Sequence, residues 1–118
     1  ACPEFIVFGL PKGLMHDMIW QILHQIRSGE IVEDGKVWDN IIENYTCVTK
    51  KVVYKYAFEN FARSSEWHWT YTGQLKTPEL YQIVWPGTKN RLFPWDENCA
   101  TDVIEAQPHL WLPSYTAN

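Results

Sequence analysis

Cysteine is scarce in this chain. There are 3, Cys2, Cys47 and Cys99. An odd count with no Cys-x-x-Cys pair argues against a disulfide scaffold and against a zinc ribbon. A reducing, cytoplasmic setting is the simpler expectation. Basic charge is scarce too, with 10 Lys and Arg against 14 Asp and Glu. The densest basic group, Lys50, Lys51 and Lys55, reads as a solvated face. It is not the stripe that grips a nucleic-acid duplex, so no duplex partner is expected. No apolar run reaches the ~20 residues that a membrane helix needs. Also missing are a Gly-x-Ser-x-Gly elbow, a His-Glu-x-x-His pair, a phosphate-binding glycine loop and an EF-hand loop. No catalytic residue, metal ligand or cofactor is assigned on sequence grounds. Asn44-Tyr45-Thr46 matches a glycosylation acceptor, but nothing resembles a signal peptide, and the match reads as chance.

Large rings are what the chain has in quantity: 7 Trp, 6 Tyr and 5 Phe in 118 residues. The length suits one domain, taken as residues 1–118. A core built on rings reaches a given buried area with fewer residues, and it leaves grooves walled by flat faces. Such grooves suit a planar small molecule, a protein partner or stacked single-strand bases.

The pattern predicts an α+β fold, a small mixed or antiparallel sheet with two main helices packed on it. Phe5–Leu10 is a short apolar run and predicts a strand covered on both faces. Pro11 can open a helix. Over Leu14–Ser28, Met15, Met18, Ile19, Ile22, Leu23 and Ile26 recur at helical spacing, and Gly29 is a natural stop. Glu33-Asp34-Gly35-Lys36 reads as a turn. Asp39 is placed as the cap of a short helix through Ile42. Thr46–Tyr54 is β-rich, with a bulge expected at Lys50-Lys51. Tyr54, Phe58, Phe61 and Ala62 predict a second helix to about Ser65, continued as far as Trp69. The alternation in Trp67–Tyr71 also fits a strand. Leu80–Trp85 predicts a strand. Beyond Trp95 the reading is loop, with a short turn at Thr101–Ile104.

Three separated strings carry a resemblance. Pro3-Glu4 leads through an apolar stretch to Gly9-Leu10-Pro11. Gln82-Ile83-Val84-Trp85-Pro86 is followed by Phe93-Pro94-Trp95, and Gln107-Pro108 stands near the end. Together they resemble a small microbial and phage domain, domain-of-unknown-function family 4262, over nearly the whole chain. The resemblance brings no known reaction. Family members carry a further N-terminal segment ending in a Tyr-Thr-x-Gly-Leu strand before the Pro-Glu pair. Its lack here implies that the Phe5–Leu10 edge is filled by a second copy, a companion chain or a strand of this chain in altered order. The family also favours Pro-Asp after the tryptophan where this chain has Pro86-Gly87, so no role for that Asp carries over.

The residues support two classes of function. The first is a binding module with an aromatic groove, whose candidate ligand-binding residues are Trp69, Gln82, Trp85, Arg91 and Trp95. Trp85, Phe93 and Trp95 are expected to form one cluster, with Arg91 over Trp85 or Trp95. Gln82, polar within an apolar strand, must find hydrogen-bond partners, either backbone groups of the Trp85–Trp95 loop or a ligand. The second class is a hydrolase-like enzyme with its site near His68, Gln82 and Arg91. His16 and His24, two helical turns apart, are separated by roughly 12 Å, too far to share a metal ion. The acids Asp96 and Glu97 beside Cys99 oppose a reactive thiolate.

Overall fold

The computed structural model describes residues 3–53, 68–71 and 79–113, with 68–71 described as backbone. The predicted helix between Tyr54 and Ser65 lies outside the described residues. The elements are β1 (Glu4–Phe8), α1 (Lys12–Arg27), β2 (Lys36–Ile42), β3 (Tyr45–Lys51), β4 (His68–Tyr71), β5 (Leu80–Val84) and a short α2 (Thr101–Glu105). The fold is α+β. Among the described residues the sheet is mixed, with five strands in the order β2-β3-β5-β1-β4. Of the pairings among these described strands, only the central one, β1 with β5, is parallel; the others are antiparallel.

Every residue of β1 and of β5 is buried. That follows from their apolar runs and from a sheet covered on two sides. One face carries Phe5 and Val7 of β1 and Tyr81 and Ile83 of β5 against Met15, Met18, Ile19, Ile22 and Leu23 of α1. The opposite face carries Ile6, Phe8 and Leu80 beneath Leu110. The alternation of Cβ directions along a strand produces this division. Helix α1 starts without a side-chain cap at Pro11. It ends in a Schellman pair, Gly29 N–H to Ile26 O and Glu30 N–H to Gln25 O, with Gly29 at φ +112°.

Three expectations change. His68 and Trp69 are extended, not helical, and β4 pairs with β1 in the register Phe5↔Tyr71 to Phe8↔His68. A run that alternates rings with polar residues is satisfied by a ladder, and the open side of β1 supplies one. The β1 edge is therefore filled by a later strand of this chain, one of the arrangements expected for it. Asp39 to Ile42 is strand rather than helix, and the irregularity lies in β2 between Trp38 and Ile42, not at Lys50-Lys51. Here Asn40 adopts φ +63°, which an asparagine tolerates better than most residues. The hairpin turn joining β2 to β3 falls at Glu43-Asn44.

Gly9 sits at φ +79°, and a Cβ there would lie 2.7 Å from Ala106 O and 2.9 Å from Ala106 Cβ. The backbone just after β1 thus touches the end of α2, with room only for hydrogen. Gly9→Ala is expected to lower stability by at least about 1–3 kcal/mol, the cost of a strained left-handed residue, read by chemical denaturation. At the other end of β1, Glu4 is buried and its Oε2 has no hydrogen-bond partner. Burial raises its pKa. The unfolded chain then gives up this proton first as pH rises, so stability is lost on going from the ordinary carboxylate range up through the raised native value. Glu4→Gln should flatten that slope: between about pH 4 and about pH 7 its melting temperature should fall less than that of the parent.

Candidate functional site

The chain leaving β5 is held from two sides. Toward the core, the Trp85 indole N–H donates to Phe8 O at 2.6 Å. The Trp85 backbone meets a side-chain amide that imitates a neighbouring strand. Trp85 N–H donates to Gln107 Oε1, and Gln107 Nε2 donates to Trp85 O, both at 3.0 Å. Gln82 does the converse for the C-terminal segment: its Nε2 donates to Pro108 O at 2.7 Å, and Leu110 N–H donates to its Oε1 at 3.3 Å. Val53 N–H adds a bond to Leu110 O. Both glutamines are fully buried, and both sides of each amide find backbone partners. Of the alternatives for Gln82, backbone pairing is what the structure has, with residues 108–110 rather than with the Trp85–Trp95 loop.

Beyond Trp85 the chain turns sharply. Gly87 N–H donates to Leu92 O, and Arg91 N–H donates to Gly87 O. The turn lies beside the β2–β3 hairpin, and between them is a half-open cavity of about 520 Å³ lined by Asp39, Asn40, Ile42, Asn44, Tyr45, Thr46, Pro86 and Arg91. Arg91 closes one side. Its guanidinium donates to Asn44 O and lies 4.7 Å from the centroid of the Tyr45 ring, while the Tyr45 hydroxyl donates to Thr88 O at 3.4 Å. Arg91 therefore covers neither Trp85 nor Trp95, because the hairpin offers it a nearer ring. Among the described residues, the non-glycine residues with left-handed backbones are Asn40, Asn44, Arg91 and Asn98, and the first three line this cavity. Such conformations persist where surrounding contacts enforce them, and they gather at binding sites. Among the described residues, neither the Asp39 carboxylate nor the Arg91 guanidinium has an ion-pair partner.

A second aromatic feature lies further along the same loop. Phe93 and Trp95 stack at 5.2 Å and 4° between planes. Trp111 meets Trp95 edge-on at 5.5 Å, and His109 stacks on Trp111 at 4.7 Å. The Lys50 ammonium lies 5.7 Å from the Trp95 centroid. Trp95 is 44% exposed. Trp85 does not join this cluster; it faces the α1 side of the sheet, where the bond to Phe8 and the contact with Gly9 hold it. The expected cluster of three is thus Phe93 and Trp95 alone, extended by Trp111 and His109.

The predicted site residues are dispersed. Arg91 lines the cavity, Trp95 lies in the exposed ring cluster, and Gln82 and Trp85 are engaged inside the fold. The side chains of Trp69 and His68 lie outside the described residues. Gln82 and Arg91 do not converge, as the hydrolase-like alternative required. Neither described thiol is a ready nucleophile: burial pushes Cys47 up to about 12, and Cys99 is raised by burial first, then by Asp96 and Asp102. Among the described residues, no three His, Cys, Asp or Glu side chains group as a metal site, and no helix is long and apolar enough to cross a membrane.

The burial of Gln82, Trp85 and Gln107, with the close approach of Gly9 to Ala106, gives the strings that mark the sequence a structural role. The family model of a domain of unknown function (DUF4262) matches residues 1–100. The chain belongs to this family. No curated protein and no solved structure matches it. In this DUF4262 chain the strings Gly9-Leu10-Pro11 and Gln82–Pro86, with Gln107-Pro108 beyond the matched residues, sit where segments distant in sequence are locked together. Sequence reasoning missed Asp39, Asn40, Asn44, Tyr45, Thr46 and Pro86 as cavity residues. The available signal was the pair of asparagines four positions apart, a residue type suited to left-handed turns.

Gln107→Leu should strand the Trp85 N–H and C=O in the interior, at about 1–3 kcal/mol for each group, measured by urea denaturation. Trp95→Ala should cost less, about 1–2 kcal/mol, because its ring is only half removed from water.

Proposed function

We propose that this chain is a small-ligand binding module whose site is the cavity between the β2–β3 hairpin and the Pro86–Arg91 turn. One observation carries the reading: three left-handed residues, Asn40, Asn44 and Arg91, meet around a single cavity of about 520 Å³. That volume falls in the range of small-molecule sites. The Arg91 guanidinium gives only one hydrogen bond among the described residues, and a guanidinium carries five N–H donors. Donors remain for a carboxylate or another anionic group. Ile42, Tyr45 and Pro86 add an apolar wall, and Asn40, Asn44 and Thr46 add polar groups that fix orientation. Free Cys47 and Cys99 fit a reducing, cytoplasmic setting.

The exposed rings favour a second reading, a protein-binding face. Trp95 at 44% exposure and Leu112 at 45% flank Trp111, and half-exposed tryptophan is enriched in protein interfaces. The cavity remains the stronger site because it encloses volume and carries charge.

The test is amide NMR of the labelled protein titrated with benzoate, acetate and benzamide at millimolar concentration. Benzoate should shift the amides of Asn40, Asn44, Tyr45, Thr46 and Arg91 more than benzamide does, and Arg91→Gln should abolish the difference. Shifts confined to Phe93, Trp95 and Trp111 would move the function to the ring face. An absence of shifts from all three probes would reject the cavity.

A further inference from the structure

The cavity holds charges of both signs, and neither is compensated. Its lining includes one acid, Asp39, and one base, Arg91. The ion pairs of the described residues are His16–Asp17, Lys36–Glu30, Lys50–Asp34 and Lys51–Glu79. Asp39 and Arg91 belong to none of them, and they do not pair with each other although they border the same space. The Asp39 backbone carbonyl is held by Gln25 Nε2 at 2.8 Å, which fixes the strand at that point. Arg91 is fixed by its bond to Asn44 O and its place over Tyr45. The two charges are thus mounted on anchored backbone on opposite elements, β2 and the turn after β5.

An anion alone would satisfy Arg91 but would be repelled by Asp39, and a cation alone would meet the reverse. A ligand carrying both charges a short distance apart satisfies both. Resting on the cavity reading above, we infer that the site takes a short zwitterion, an α-amino acid or dipeptide with an apolar side chain. Arg91 receives its carboxylate, Asp39 its ammonium group, and Ile42, Tyr45 and Pro86 its side chain. Two charge-assisted contacts from different elements fix the ligand's direction, and the apolar wall selects its side chain. Both charged residues are exposed, so salt should weaken binding.

Isothermal titration with L-phenylalanine, 3-phenylpropionate, phenylalaninamide and glycylphenylalanine tests this, with the amide NMR map confirming the place of binding. L-Phenylalanine or glycylphenylalanine should bind at least about fivefold tighter than either singly charged analogue, and the tighter of the two identifies amino acid or dipeptide. Asp39→Asn should bring the zwitterion down to the affinity of 3-phenylpropionate and leave 3-phenylpropionate unchanged or improved. Arg91→Gln should bring it down to that of phenylalaninamide. Circular dichroism of both variants checks that the fold is kept. If 3-phenylpropionate shifts the cavity amides and binds as tightly as the zwitterions, the cavity stands and the zwitterion assignment falls. If no probe shifts the cavity amides, both fall.

Discussion

The peptide group of Trp85 has to be satisfied where the sheet gives out, and the rest of the molecule is arranged around that need. Strand β5 ends at Val84, yet Trp85 remains buried, with an N–H and a C=O that would be costly to strand there. The Gln107 amide supplies an acceptor and a donor in the spacing of a neighbouring strand. It can do so only because α2 delivers it and because Gly9 lets α2 approach β1 closely. Gln82 closes the same seam from the sheet side by holding Pro108 and Leu110. The indole of Trp85 then fastens β5 to the end of β1 through Phe8.

This seam positions the candidate site without taking part in it. The turn carrying Arg91 springs from Pro86, directly after the clamped tryptophan. The hairpin carrying Asp39, Asn40 and Asn44 is bonded to β5 through β3, in the register Val48↔Val84 to Lys51↔Tyr81. Two otherwise independent loops are therefore referred to one strand, and the space between them is defined by the strand's own geometry. Preorganisation of this kind lowers the ordering cost of binding.

Most of the framework was legible in the sequence because periodicity reports burial. The six apolar positions of α1 and the apolar runs of β1 and β5 need no partner to be recognised. His68 and Trp69 were harder, since their state is set by an open strand 60 residues away in the chain and not by local preference. Asp39 was read as a helix cap for the same reason: a capping residue and a strand residue before a bulge look alike until the partner strand is known. Gln82 announced itself as a polar residue needing partners, but the identity of those partners depends on where residues 108–110 travel. The cavity was least legible. Its lining comes from two loops, and its charges matter only because they are unpaired in space. A string of letters does not show that.

The sheet's middle is made by the strands that lie furthest apart along the chain. Glu4 to Ile6 pair in parallel with Leu80 to Gln82, while β2 and β3 meet across a tight turn. Loop closure of that length makes the central pairing slow compared with the hairpin. During synthesis, at about 5–20 residues per second, the two strands that flank β1 in this sheet, β4 and β5, emerge several seconds after it. The hairpin and α1 can assemble in that interval and shield one face of β1, but the pairings seen in this sheet wait for the late strands. The parallel centre that makes the finished sheet buried on both faces is thus also the step at which the nascent chain is most exposed to unwanted pairing.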